Sequence, residues 1–256
     1  MVKFSVANAK IEALSNVAEL QEYLTGGRKV YSFDLLSGHS CPFANECLSK
    51  AIVKDGKRSI KDGPNTQFRC FSASQEVAFP NVYNLREKNF TAVRSLKSSK
   101  EIADLIQSVI PPDLGICRIH VSGDLFNQIY FDTWIKLAID NPGRLFYAYT
   151  KSLNYWINRK KLDLIPDNFV LTASRGGRLD HLIEKYNLRS SVVVFSVEEA
   201  QALGLEIDHS DEFAARPSMK NTNFALLIHG QQPKGSEAAT AIKELKKSGT
   251  KFAYSK

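Results

Sequence analysis

The chain has 256 residues, with 34 Lys and Arg against 27 Asp and Glu, a formal charge of +7 and a sequence pI near 9.1. At 43% apolar and 24% charged it has the composition of a folded globular protein, which excludes intrinsic disorder and collagen-like repeats and allows one large α/β domain or two small ones. No apolar run approaches the roughly eighteen residues of a membrane span, and Met1 to Ile11 lacks the apolar core of a signal peptide, so a cytoplasmic protein with no membrane partner is expected.

The first predicted element is a helix over Ile11 to Tyr23, with Leu14, Val17, Leu20 and Tyr23 on one face and Gly26-Gly27 ending it. Short β-branched and aromatic runs then predict strands at Val30 to Leu35, Phe68 to Phe71, Ile116 to Val121, Leu145 to Tyr149, Phe169 to Thr172, Val192 to Phe195, Phe224 to Ile228 and Phe252 to Tyr254, with a weaker one at Leu205 to Asp208. Between them, Gln128 to Ile139 carries Tyr130, Trp134 and Leu137 at helical spacing and stops at Asn141-Pro142-Gly143. Ser196 with Glu199 forms a capping box, and Ser236 caps a helix over Glu237 to Lys247. About eight strands, each followed by a helix or a turn-rich segment, predict an α/β fold of the TIM-type (β/α) barrel class, with room for an incomplete or irregular barrel. The domain reading is a single barrel over 1–256, with 1–29 as an N-terminal helical extension.

The residues just past the predicted strand ends are Ser37-Gly38-His39, Ser72, Ser122-Gly123-Asp124, Thr150-Lys151-Ser152, Ser174-Arg175-Gly176-Gly177, Ser196 and His229-Gly230-Gln231. The loops at this edge build the active sites of barrels and open α/β sheets alike. Polar loops are ordinary, but His39, Asp124, Lys151, Arg175 and His229 are more than turns need. The two glycines of Ser174-Arg175-Gly176-Gly177 precede a predicted helix at Leu179 to Tyr186, an arrangement that exposes backbone N–H groups to an anion.

Three of the four cysteines form the sharpest feature, Cys41-x5-Cys47-x22-Cys70. A reducing compartment keeps them as thiols, and thiolates gathered from two strand ends select zinc or an iron–sulfur cluster over harder metals. Cys117 begins its strand, which at about 3.3 Å per residue puts it roughly 15 to 20 Å from the loop at Gly123, so a core thiol is the better reading. His39, two residues before Cys41, is a candidate metal ligand beside the cysteines. His120 is expected on the same strand face as Arg118 and Ser122, opposite Cys117.

The stretches Ser37-Gly38-His39-Ser40-Cys41-Pro42-Phe43-Ala44, Phe68-Arg69-Cys70-Phe71-Ser72-Ala73-Ser74, Arg118-Ile119-His120-Val121-Ser122-Gly123-Asp124 and Tyr147-Ala148-Tyr149-Thr150-Lys151-Ser152 resemble the phage gene product eighty-eight family, over most of the chain from about Val30 onward. That family is distantly similar to barrel enzymes that combine a three-cysteine iron–sulfur cluster with S-adenosylmethionine. The resemblance implies a bacteriophage origin, action in the host cytoplasm and a metal-binding site, a 4Fe-4S cluster, on Cys41, Cys47 and Cys70. It leaves S-adenosylmethionine in question, because the third cysteine lies over twenty residues beyond the second, unlike the C-x3-C-x2-C of radical enzymes.

The functional expectation is therefore an iron–sulfur barrel protein, an oxidoreductase or radical enzyme, acting on a small polar or anionic substrate with a host electron donor as partner. His120, Asp124 and Lys151 are the candidate catalytic residues, and Ser122, Gly123, Arg175, Gly176 and His229 the candidate ligand-binding ones. The alternative is a zinc-stabilised nucleic-acid-binding protein, motivated by the charge and by Lys50, Lys54, Lys57, Arg58 and Lys61, with Lys243, Lys246 and Lys247 near the end. It ranks lower because the aromatics follow core patterns and do not interleave with the basic residues.

Overall fold

The structure, a computed structural model, describes residues 1–250. Among the described residues nine strands form: β1 (Ser5–Val6), β2 (Lys29–Phe33), β3 (Ser49–Lys54), β4 (Lys57–Asp62), β5 (Leu114–Ile119), β6 (Leu145–Thr150), β7 (Phe169–Ser174), β8 (Ser190–Val194) and β9 (Phe224–Leu227). Seven of them make one sheet in the order β1-β2-β5-β6-β7-β8-β9. β1 pairs antiparallel with β2, and every other neighbour in that sheet is parallel. β3 and β4 stand apart as an antiparallel ribbon.

The α/β class and the sequential parallel order hold, but the barrel is not closed: among the described residues β1 and β9 end the sheet and do not pair with each other. The second βα unit is where the expectation fails. Phe68 to Phe71 is not a strand; Cys70 precedes a helix over Phe71–Ala78, and the residues before it are spent on the ribbon. The predicted strand at Leu205 to Asp208 shrinks to a single bridge between Ile207 and Ala225. The predicted strand at Phe252 to Tyr254 lies outside the described residues.

Alternation along the parallel strands divides the core in two. Cys117, Ile119, Phe146, Ala148, Phe169 and Leu171 face a helical layer that includes Pro80–Ser95, Ser99–Gln107 and Gln128–Asp140, with Phe90, Ile102 and Trp134 inserted. With the strand order never reversing, right-handed crossovers put these helices on one side. The opposite face carries Val30, Ile116, Leu145, Tyr147, Val170 and Phe224, and is covered by Ile11, Leu14 and Leu20 together with Ala214 and Ala215. The N-terminal segment thus plugs the face that a closed barrel would fill with its own side chains. It does so as short turns, not as one helix. Asn8 caps Ala9–Glu12, two 3-10 turns follow, and extended Val17 (φ −84°, ψ 118°) separates them.

His120 departs from strand alternation. Its φ of +68° turns the ring away from the face of Arg118 and onto the helical layer, where Nε2 lies 3.0 Å from the Tyr130 hydroxyl and the ring stacks on Tyr130 at 5.6 Å. The expected shared face with Arg118 is therefore wrong; a left-handed residue breaks the two-residue period. Burial, and then Arg118, push the imidazole down to about 3. A depressed value means that unfolding allows protonation, so this contribution is complete above the unfolded value near 6.5 and is lost as pH falls toward 3, at about 1.4 kcal/mol per unit. His120→Asn, which tolerates the left-handed backbone, should remove that part: the stability difference between wild type and variant, from urea unfolding, should shrink as pH is lowered from 7 to 4.

Candidate metal and anion site at the strand ends

Three buried carboxylates fasten the loops at the C-terminal ends of the strands. Asp34, after β2, accepts from the Val121 and Ser122 amides at 2.7 and 3.3 Å and from the Ser32 hydroxyl at 2.9 Å. Glu76, fully buried on the Phe71–Ala78 helix, accepts from the Ser37 amide at 3.0 Å, the Ser37 hydroxyl at 3.2 Å and the Ser122 hydroxyl at 2.8 Å, and pairs with Arg86 at 3.2 Å. Asp124 accepts from the Thr150 hydroxyl at 2.6 Å and from the Leu125 and Lys151 amides at 2.7 and 2.9 Å. Burial raises Glu76 above the usual carboxylate range and pushes Asp124 up to about 6, because desolvation penalises the charged form more than these donors favour it.

This framework positions the cysteines. Cys41 and Cys47 lie in the loop after β2, where the Gly38 amide donates to Cys41 Sγ at 3.3 Å and the Glu46 amide to the Gly176 carbonyl at 3.0 Å. Cys70 stands at the start of the Glu76 helix, its amide 3.4 Å from the Ser49 hydroxyl. The thiols feel one another. Burial raises Cys41 well above its ordinary value, and Asp124, Cys70 and Cys47 add to the rise; burial and Cys47 push Cys70 up to about 11. Cys117 is fully buried in the helical-side core, away from the three. Among the described residues no three His, Cys, Asp or Glu side chains are grouped so that they could hold a metal ion. His39 is exposed, with Nε2 2.9 Å from the Ala51 carbonyl of β3.

Beside the thiols is a cavity of about 160 Å³, lined by Cys47, Cys70, Lys10, Arg118, Lys151 and His229 among others. Its one lining carboxylate, Asp211, receives Lys10 Nζ at 3.0 Å, Arg118 Nη1, and the hydroxyls of Tyr147 and Tyr149 at 3.2 and 3.4 Å. Burial alone would raise Asp211, but Arg118 and Lys10 hold it below the usual range. Asp208, just behind it, is pushed up to about 6 by burial and by Asp211. Lys151 Nζ donates to the Ser174 carbonyl and hydroxyl at 3.0 and 2.9 Å and to the Arg175 carbonyl, and among the described residues forms no ion pair. Burial, followed by Lys10, lowers His229 to about 4, so its ring is neutral at pH 7; it meets the Phe71 ring edge-on at 4.7 Å.

The predicted residues thus separate. Cys47, Cys70, Lys151 and His229 share the cavity, and Cys41 is coupled to it through the other thiols. Ser122, Gly123 and Asp124 belong to the framework behind it. Arg175 pairs with Glu184 at 2.7 Å and donates to the Ser190 hydroxyl at 3.2 Å. The anion site expected at Gly176-Gly177 is already filled: both amides donate to the Asp180 carboxylate, at 2.7 and 2.9 Å. Lys10, Arg118, Tyr149 and Asp211 were not singled out as site residues by the sequence. Arg118 and Tyr149 stand in the motif stretches and alternate with their strand neighbours, whereas nothing local marks Lys10 or Asp211.

Gly123 has φ +96°, and a Cβ there would lie 2.6 Å from Ser40 Oγ and 2.9 Å from Leu35 Cβ. Gly123→Ala should lower the urea-unfolding free energy by about 1–3 kcal/mol through overpacking, on top of the left-handed penalty. Gly204→Ala, with φ +64° and nothing within 4 Å, should cost only the conformational part, about 1–2 kcal/mol. Equal losses at the two positions would contradict the packing described.

No curated protein and no solved structure matches the chain. Residues 2–252 match the Gene product 88 family, the phage family that the strand-end motifs resemble, and the chain belongs to it.

Proposed function

We propose that Cys41, Cys47 and Cys70 hold an iron–sulfur cluster, and that the adjoining cationic cavity presents a small anionic ligand to it for redox or radical chemistry. The observation that carries this reading is that Cys41 and Cys47, from the loop after β2, and Cys70, at the start of the Phe71–Ala78 helix, lie near enough for Cys41 and Cys70 to feel the other thiols beside a positively charged cavity. Soft thiolates are the donors such clusters take. When bound, the cluster supplies one-electron chemistry.

The chain's own residues define the ligand. Lys10, Arg69, Arg118 and Lys151 bring four positive charges to the cavity against the single lining carboxylate Asp211, with Asp208 behind and Arg69 paired outside it with Asp62. Buried charge of one sign favours an anion. Tyr147 and Tyr149 orient Asp211, which in turn holds the ends of Lys10 and Arg118. Asp124 fixes the Lys151 amide and acts as a positioning residue. Buried His229 adds a neutral imidazole to the lining beside the thiols. A volume of about 160 Å³ is below the roughly 300–1,000 Å³ of pockets for drug-sized ligands, which favours a small carboxylate or phosphate over S-adenosylmethionine. Electrons would come from a host donor. Among the described residues no helix is long and apolar enough to cross a membrane, which suits such an exchange in solution.

Anaerobic purification and reconstitution test the cluster. Wild type should be coloured, contain iron and acid-labile sulfide in equal amounts, and give an electron paramagnetic resonance signal on reduction. Cys41→Ser, Cys47→Ser and Cys70→Ser should each lose most of the colour, whereas Cys117→Ala should keep it. A colourless wild type, stoichiometric zinc, or colour that survives replacement of all three cysteines would sink the proposal.

A further inference from the structure

The β3–β4 ribbon touches the site above only at its base, through Ser49 and Asp62, and the register of the rest is unusual. The strands join through Asp55-Gly56, both with positive φ (50° and 71°), the two-residue turn that matches strand twist. Directly opposed pairs are Lys50 with Lys61, Ile52 with Ser59 and Lys54 with Lys57. In an antiparallel ribbon opposed side chains share a face, so four lysines project from one side of two short strands. The other side carries Ala51, Val53, Arg58 and Ile60 and, apart from exposed Val53 near the turn, packs on the protein: Ala51 is buried, and Arg58 Nε donates to the Val77 carbonyl at 3.3 Å with its guanidinium over the Tyr83 ring.

Like charges placed directly opposite destabilise a ribbon, and here that happens twice within six residues per strand. Among the described residues none of the four lysines has an ion-pair partner, and Lys54, Lys57 and Lys61 are exposed. The ribbon is anchored rigidly at its base, where Ser49 meets Asp62 at 2.8 Å, Arg69 pairs with Asp62 and His39 contacts Ala51. Repulsion on a rigid, solvent-facing ribbon implies an external polyanion that relieves it.

We propose that this lysine face docks on the phosphate backbone of double-stranded nucleic acid. The lysines span about 13 Å along the ribbon, against one phosphate charge per about 1.7 Å of duplex axis, and a two-stranded ribbon has the width the DNA major groove admits. No aromatic residue stands among the lysines, so the stacking platform that single-strand binders use is missing from this face. Ile52 is its only large apolar side chain, too little to insert into a lipid surface. Binding is independent of sequence, since lysines on phosphates position a protein without reading bases.

The test is fluorescence anisotropy of the full chain with a labelled arbitrary-sequence duplex of twenty base pairs, in a salt series, with the same-length single strand and phosphatidylserine vesicles as parallel arms. Wild type should bind the duplex at 50 mM salt. Replacing all four lysines (Lys50→Gln, Lys54→Gln, Lys57→Gln and Lys61→Gln) should weaken binding and flatten the log–log salt slope by about 3–4, at close to 0.9 per phosphate contact. The fourfold Lys→Arg variant should keep the wild-type slope. The Gln variant should unfold at the same temperature as wild type or higher, because repulsion is removed. No duplex binding by wild type, an unchanged slope in the Gln variant, or retention only on vesicles or single strands would overturn the proposal. The cysteine variants leave this ribbon intact, so failure here is distinguishable from failure of the cluster.

Discussion

The C-terminal edge of the sheet depends on one buried carboxylate. Glu76 has no solvent exposure, yet its two oxygens collect the Ser37 amide and hydroxyl, the Ser122 hydroxyl and the Arg86 guanidinium. Those donors belong to the loop that carries Cys41, to the end of β5 and to the Pro80–Ser95 helix, while Glu76 sits on the helix that Cys70 opens. A buried charge is tolerated only when its lone pairs are satisfied, and losing one partner from such a group costs several kcal/mol. The loop, the strand end and the helix therefore take up their positions together. Asp34 and Asp124 repeat the device on either side. The result is a fixed frame in which three thiols from distant parts of the sequence become neighbours.

The open sheet gives this frame its cavity. Six parallel strands in sequential order would approach a barrel, but the segment between β2 and β5 supplies a ribbon and helices and no strand to the sheet. The inner face is closed by the N-terminal turns and by the Glu212–Ala215 helix, and both contribute charge as well as apolar cover: Lys10 comes from the first, and Asp211 caps the second. The cavity is thus assembled from a plug, a strand and a late loop. Its field is set by two cations sharing one carboxylate, with Lys151 added from β6.

The five strands from Leu114 to Leu227 were legible because each is a short apolar or β-branched run largely buried in the sheet, whereas Cys70 opens a helix where the sequence suggested a strand end. Closure was not legible, since a period of two reports that strands exist but not how many join one sheet. The ribbon hid in plain sight: Lys50-Ala51-Ile52-Val53-Lys54 reads as a charge run unless Asp55-Gly56 is taken as a hairpin turn. His120 and Gly176-Gly177 failed for local reasons. A left-handed backbone turned the first to the other face, and Asp180, a few residues downstream, occupied the amides of the second. Lys10 and Asp211 lie two hundred residues apart, and no local pattern announces that the N-terminal turns cross the sheet to meet a late loop.

The central claim is that the frame built by Glu76, Asp34 and Asp124 presents three thiolates to a polynuclear iron site. Iron K-edge X-ray absorption on the anaerobically reconstituted full chain tests this most directly. The account predicts a first shell dominated by sulfur together with an iron–iron shell, both lost when Cys41, Cys47 and Cys70 are replaced by Ser. A first shell of oxygen and nitrogen with no iron–iron scattering would contradict it.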